Sequence, residues 1–149
     1  MESTALTDLV ERYRQNGDLL SLLKSVQRRC GGLDRGTTAQ LAEQISLPVS
    51  ELYGVITFYA FLSPSPLGRN VIRVCRCLPC SNRDSRTVLG TIKEELGIGP
   101  GETTVDGRFT LQMVNCIGAC DVAPSMMVNE KRYGNLTPAR VAQVLGSCL

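Results

Sequence analysis

Residues 70–80 have the sequence NVIRVCRCLPC, and this stretch decides the fold because a strand runs directly into a group of cysteines. The β-branched residues within 70–74 favour a strand. A second predicted strand, residues 108–114, leads in the same way to the sequence CIGAC at 116–120. Two cysteine-bearing loops therefore follow two strands, and a sheet can hold such loops rigidly.

The remainder of the carboxyl-terminal half alternates between helical and strand patterns. Apolar residues at helical spacing predict a helix over 84–96, which Gly97 ends. The dipeptide Asp106-Gly107 predicts a hairpin between 103–105 and the second strand. A short strand at 126–129 and a helix opening at Thr137-Pro138 complete the pattern. The order β-α-β-β-α predicts an α/β fold, a small thioredoxin-like domain over residues 70–149.

The amino-terminal part predicts a small helical bundle over residues 1–61. Asp18 is a candidate amino-terminal cap for its second helix, Thr37 or Thr38 for its third, and Pro48 suits the start of its fourth. The sequence LSPSPLGRN follows at 62–70, and its prolines and glycine predict a linker between the two domains.

Composition argues against several classes of partner and location. A net charge of +2 gives no reason to expect nucleic-acid binding. No apolar run approaches the roughly 20 residues that span a bilayer, so we expect no direct membrane insertion. The amino terminus lacks the pattern of a signal peptide, which predicts a reducing, cytoplasmic location. Seven cysteines in such a compartment are expected to be ligands or thiols rather than disulfides.

The cysteines form two spaced pairs, Cys75 with Cys80 and Cys116 with Cys120, in a chain without histidine. Gaps of four and three residues favour an iron–sulfur cluster over a four-cysteine structural zinc site, in which two-residue gaps are commoner. Gly118 lets backbone N–H groups approach the sulfurs of a cluster. A thioredoxin-like dithiol formed by Cys77 and Cys80 remains an alternative, although it gives the other three loop cysteines no role.

Three further segments carry a family resemblance: LYGVITFY at 52–59, GETTVDGRFTL at 101–111 and CIGACDVAP at 116–124. Over roughly residues 18–145 the chain resembles the thioredoxin-like [2Fe–2S] subunit of NADH-linked oxidoreductases, the 24-kDa subunit family of complex I. Related subunits occur in NAD(P)-linked hydrogenases, formate dehydrogenases and electron-bifurcating enzymes.

The resemblance implies a [2Fe–2S] cluster held by Cys75, Cys80, Cys116 and Cys120. Cys77 is a departure from the family pattern, an additional thiol inside the first ligand loop. The resemblance also implies a subunit without catalysis of its own, which exchanges single electrons with the flavin of an NAD(P)-binding partner in a complex that contains further iron–sulfur subunits.

Two further expectations concern the charge around the cluster and the surface that docks on the partner. Arginines at 73, 76 and 83 would favour the reduced cluster if their side chains point inward. The bundle is expected to dock on the flavin subunit, because it carries more large apolar residues than four short helices can bury, namely Tyr53, Ile56, Phe58, Tyr59 and Phe61.

Overall fold

The computed structural model describes residues 3–148, which fold as two compact units that divide between Pro66 and Leu67. The boundary between the units lies inside the segment 62–70. Leu62 and Ser63, in the first part of that segment, are nevertheless buried. Leu62 belongs to the apolar core of the first unit, so the beginning of this segment packs on that unit.

The first unit is built from helices that share one apolar core. Its helices are α1 (Ser3–Asn16), α2 (Leu19–Cys30), α3 (Arg35–Ile45) and α4 (Val49–Phe58). The core contains the helical residues Leu23, Leu41, Leu52 and Ile56, each 0–1% exposed. Ile56 is therefore core, and the expectation that it contributes to an exposed surface is wrong.

The caps of α2 and α3 test the sequence-based boundaries. Asp18 caps α2 as predicted, because its carboxylate accepts a hydrogen bond from the Ser21 backbone N–H at 3.0 Å. The prediction that Thr37 or Thr38 caps α3 is wrong, because the helix begins one turn earlier. Asp34 is the cap, accepting from the Thr37 N–H at 2.8 Å. Thr38 is buried instead, and its hydroxyl donates to the Leu33 carbonyl at 3.0 Å.

The second unit contains, among the described residues, a four-stranded sheet and three helices. Its elements are β1 (Asn70–Cys75), α5 (Leu78–Asn82), α6 (Ser85–Leu96), β2 (Phe109–Val114), β3 (Met126–Val128), β4 (Lys131–Tyr133) and α7 (Pro138–Ser147), with a 3-10 turn at Cys120–Val122. The fold is mixed α/β and thioredoxin-like, as predicted.

The hairpin predicted at Asp106-Gly107 forms a turn but no extended strand pair within the described part of the chain. A single antiparallel bridge joins Thr103 to Thr110. Backbone hydrogen bonds still cross the turn, since the Leu111 N–H donates to the Glu102 carbonyl at 3.0 Å and the Thr104 N–H donates to the Phe109 carbonyl at 2.8 Å. The other edge of Phe109–Val114 pairs with the first strand of the sheet.

The sheet order β2-β1-β3-β4 brings the two cysteine loops to one edge. The first two strands are parallel, and their register places Cys75 opposite Val114. Because parallel strands end at the same edge of a sheet, the loops that follow β1 and β2 leave the sheet side by side. The cysteine loops are therefore neighbours as a direct result of this pairing.

One face of the sheet carries the core of the second unit. Ile72, Val74 and Leu111 pack there against Ile92 of α6 and Val141 of α7, and each is 0% exposed. Successive side chains of a strand point to opposite faces of the sheet, so Arg73 and Cys75 of β1 lie on the other face. Packing on one face thus holds β1 in the register that fixes the position of Cys75.

Candidate metal centre

The first cysteine loop is anchored by backbone hydrogen bonds from both of its neighbouring strand ends. The Arg76 N–H donates to the Val114 carbonyl at 2.9 Å, and the Cys75 N–H donates to the Ser125 carbonyl at 3.3 Å. Short helix α5 then carries Cys80, which is 0% exposed and lies 3.5 Å from the Ser125 hydroxyl. Cys75 is 1% exposed. This loop supplies a buried pair of thiols.

The second cysteine loop supplies an exposed pair. The Sγ atoms of Cys116 and Cys120 lie 3.9 Å apart. Gly118 adopts a left-handed conformation, with φ of 72°, and this turns its backbone N–H onto the Cys116 sulfur at 3.3 Å. Val122 ends the loop, and its carbonyl accepts a hydrogen bond from the Asn135 N–H at 2.6 Å. The chain after β4 therefore holds the second loop in place.

The thiols of both loops converge. The sulfurs of Cys75, Cys77 and Cys80 lie within 4.8 Å of one another, and so do those of Cys77, Cys116 and Cys120. Two sulfurs on one tetrahedral metal ion lie about 3.7 Å apart when metal–sulfur bonds are about 2.3 Å. Separations of this size place the sulfurs of both loops within reach of one compact metal centre.

Cys77 is the residue whose position sequence reasoning misses. The family pattern sets it apart from the cluster ligands, yet its sulfur belongs to both groups of thiols. A sequence signal is present, because its spacing from Cys80 is that of a CxxC pair. The other two cysteines do not join the site, since Cys30 ends α2 in the first unit and Cys148 caps α7.

Close packing of the thiols disfavours their simultaneous ionisation. Burial raises the pKa of Cys75 to about 12. Hydrogen bonding to Cys116, and then its charge, raise the pKa of Cys120 to about 11. The Gly118 N–H bond lowers the pKa of Cys116. Burial opposes ionisation of Cys80, but hydrogen bonds from Ser125 and Cys75 outweigh it and lower that pKa. A cationic centre is needed before all of these thiols can lose their protons.

The donor set fits an iron–sulfur cluster. Every residue in the two groups offers sulfur, and thiolates are the ligands of iron–sulfur clusters. The N–H bond from Gly118 to the Cys116 sulfur is of the kind that tunes such clusters. Low exposure of Cys75 and Cys80 also fits a centre whose inner side is shielded from water.

Comparison with known proteins identifies the family. The model of the thioredoxin-like [2Fe–2S] ferredoxin family matches residues 6–149, nearly the whole chain. The chain belongs to this family. Its cofactor is accordingly a [2Fe–2S] cluster, which decides against structural zinc and against the Cys77–Cys80 dithiol as the chemistry of the site.

Similar members of the family are subunits of larger enzymes. The E subunit of NADH-quinone oxidoreductase from Pseudomonas aeruginosa is 40% identical over 126 residues, which are 85% of this chain and 76% of that protein. Its counterpart in Escherichia coli K12 is 36% identical over the same coverage. The HndA subunit of the NADP-reducing hydrogenase from Solidesulfovibrio fructosivorans is 36% identical over 132 residues, 89% of this chain and 77% of that one.

A solved structure supports the fold of this [2Fe–2S] ferredoxin. In the NAD+-reducing [NiFe]-hydrogenase in its air-oxidized state, one chain matches with a TM-score of 0.73 and 24% identity. The match covers 85% of this chain but only 22% of the hydrogenase chain, so this chain spans about a fifth of that polypeptide. At that identity the likeness concerns the fold alone.

Proposed function

We propose that this protein is the [2Fe–2S] electron-transfer subunit of a multisubunit oxidoreductase. The observation that carries the proposal is the convergence of thiols from two loops at one edge of the sheet, in a chain of this family. Subunits of NADH-quinone oxidoreductase and of NADP-reducing hydrogenase are 36–40% identical to it, which favours such a complex.

The proposed ligands are the buried pair Cys75 and Cys80 and the exposed pair Cys116 and Cys120. The two thiols of the exposed pair are 3.9 Å apart, close to the separation expected for two ligands of one iron. The buried pair lies on the neighbouring loop, with both sulfurs within 4.8 Å of each other. These four residues would hold the cluster.

When bound, the cluster accepts or donates one electron without making or breaking a bond to substrate. Groups of this chain would stabilise the added negative charge of the reduced state. The Gly118 N–H already points at the Cys116 sulfur. The Arg76 guanidinium is held next to the second loop by its bond to the Asn115 side chain at 2.9 Å.

Of the three arginines considered from the sequence, Arg76 is the one best placed to act on the cluster. Arg73 instead directs its guanidinium to the Asn129 carbonyl at 3.5 Å. Asn129 also accepts from the backbone N–H of Val71, near the beginning of β1, so this contact lies away from the cysteine edge. Burial lowers the pKa of Arg73. Arg83 is exposed at the end of α5.

Electrons are expected to enter and leave on the side of the exposed pair. Cys116 and Cys120 are exposed, whereas the first pair is covered by protein. Leu78, the first residue of α5, is 73% exposed and adds an apolar contact point on the first cysteine loop. A redox partner that docks on this side approaches the cluster without crossing the core of the unit.

The proposed partner is a flavin- and NAD(P)-binding subunit, together with further iron–sulfur subunits. We expect the helical unit to provide docking surface, and this protein to contribute no catalysis of its own. Large apolar side chains on and after α4 support the docking: Phe58 is 79% exposed, Tyr53 56% and Phe61 37%. Exposed apolar groups of this size are typical of interaction surfaces.

Among residues 3–148, no helix is long and apolar enough to cross a membrane.

The experiment is anaerobic reduction of the complex isolated through this protein. NADH and NADPH are added separately, and the electron paramagnetic resonance signal of a reduced [2Fe–2S] cluster is recorded, with dithionite as a positive control. We expect a nucleotide to elicit the signal and Cys116→Ser to change it. A cluster that dithionite reduces fully but that neither nucleotide reduces, in a complex with active flavin, would contradict the proposed electron donor.

A further inference from the structure

Cys77 lies between the two proposed pairs of cluster ligands. Its sulfur is within 4.8 Å of both sulfurs of the buried pair and of both sulfurs of the exposed pair. Among the residues that the structure describes, no other side chain belongs to both groups. A fifth thiol therefore lies in reach of a centre that takes four.

Cys77 and Cys75 compete for one position. Their Sγ atoms are 3.2 Å apart, closer than the roughly 3.7 Å that separates two sulfurs on one tetrahedral metal ion. Both sulfurs are also within 4.8 Å of Cys80, the other member of the buried pair. The geometry therefore suits Cys75 and Cys77 as alternative ligands beside Cys80, and not as simultaneous ones.

The local structure leaves the Cys77 side chain available for such a role. Cys77 is the amino-terminal cap residue of α5, but its side chain makes no capping hydrogen bond. The helix is held instead through the Cys77 backbone carbonyl, which accepts from the Ser81 N–H at 2.9 Å. The sulfur can turn toward a metal without removing a hydrogen bond from α5. Cys77 is also only half-buried, unlike Cys75.

We propose that Cys77 is a replacement ligand of the [2Fe–2S] centre, which takes the place of Cys75 beside Cys80 when the Cys75 sulfur is absent. The Cys77 thiol gives its proton to solvent as its sulfur binds iron, so the number of thiolate ligands stays at four. This inference rests on the ligand set given under the proposed function. It assigns a role to the one loop cysteine which that set leaves unused.

The test compares Cys75→Ala, Cys77→Ala and the double variant Cys75→Ala/Cys77→Ala in the full chain, reconstituted anaerobically. Iron and acid-labile sulfide are counted, visible and electron paramagnetic resonance spectra are recorded, and far-UV circular dichroism monitors folding. We expect Cys77→Ala to keep the wild-type cluster content and spectra. Cys75→Ala should keep two irons per chain with shifted spectra, and the double variant should lose the cluster.

Loss of the cluster from Cys75→Ala to the same extent as from the double variant, with both folded, would overturn the proposal. If Cys75→Ala does not fold, the nearly isosteric Cys75→Ser replaces it. Identical spectra for Cys75→Ser and Cys75→Ser/Cys77→Ser would then overturn the proposal, because serine oxygen and not Cys77 would be the ligand.

The same variants separate this inference from the ligand set beneath it. If Cys77→Ala loses the cluster while Cys75→Ala is indistinguishable from wild type, Cys77 is the ordinary ligand. That result overturns the replacement role and the assignment of Cys75 together. Cluster loss from Cys75→Ala with a normal Cys77→Ala overturns the replacement role alone and leaves the ligand set standing.

Discussion

Gly134 packs closely against the end of the second cysteine loop, so a larger residue there is expected to displace that loop. A Cβ atom added there would lie 2.3 Å from Cγ2, 2.5 Å from Cβ and 2.8 Å from the carbonyl oxygen of Val122. Val122 ends the 3-10 turn that begins at Cys120. Ordinary carbon–carbon contact starts near 3.4 Å, so Gly134→Ala requires a displacement of about 1 Å, and a backbone atom is among those that must move.

The displacement has two measurable consequences. Overpacking of this kind destabilises a protein by about 1–3 kcal/mol. The second consequence concerns the cluster, because metal–ligand distances tolerate only about ±0.2 Å. A shift of the turn that carries Cys120 is therefore expected to lower iron occupancy after reconstitution. Urea unfolding followed by circular dichroism measures the first effect, and iron and sulfide per chain measure the second.

Gly90→Ala is the matched control. Gly90 lies inside α6, and a Cβ atom added there would meet nothing within 4 Å. Replacing a helix-interior glycine with alanine stabilises a protein by about 0.5–1 kcal/mol. The same substitution is therefore expected to raise the free energy of unfolding at Gly90 and to lower it at Gly134. A Gly134→Ala protein with wild-type stability and full iron content would refute the reasoning. Restored iron content in Gly134→Ala/Val122→Gly would support it, since two of the three close contacts are then removed.

Three further predictions concern the ligands, the docking surface and a helix cap. Serine at any of the four proposed ligand positions should remove the cluster or change its visible spectrum, whereas Cys30→Ser and Cys148→Ser should keep wild-type iron content. Phe58→Glu should weaken co-purification of the flavin subunit at unchanged iron content, and Val105→Glu, at an exposed apolar residue of the second unit, should not. Hydrogen bonds from the Thr37 backbone and then its side chain lower the pKa of Asp34, so its carboxylate stabilises the fold above the unfolded-state pKa of about 3.9. Asp34→Ala should therefore lower Tm at neutral pH. The difference in Tm between the wild type and Asp34→Ala should become smaller as the pH falls through the native pKa of Asp34. A difference in Tm that is the same at neutral pH and below that pKa would contradict this prediction.

The parts of the fold that the sequence predicts are those with strong local patterns. The β-branched run that ends at Cys75 marks β1, and Asp18 caps α2 as expected. Sequence pattern does not predict the strand Lys131–Tyr133, because it is only three residues long and has no apolar alternation. Its lysine and arginine side chains are exposed, and it exists because β3 offers it an antiparallel partner. Such elements depend on tertiary pairing that local pattern does not encode.

The sequence predicts which loops form the site, but it does not predict where each sulfur atom lies. Spacing and resemblance indicate which loops carry the thiols, and the structure brings those loops together through the parallel pairing of the first two strands. The position of Cys77 depends on where α5 begins, and its helix of five residues is too short to give a periodic signal. A central location for this thiol therefore emerges only from the three-dimensional structure.

The most direct test of the account is the metal and sulfide content of the protein purified without air. Thiolates on two adjacent loops, in a chain of this family, predict a brown protein with two irons and two acid-labile sulfides per chain. One zinc per chain without labile sulfide, or a colourless protein in which Cys77 and Cys80 cycle as a disulfide, would contradict the account.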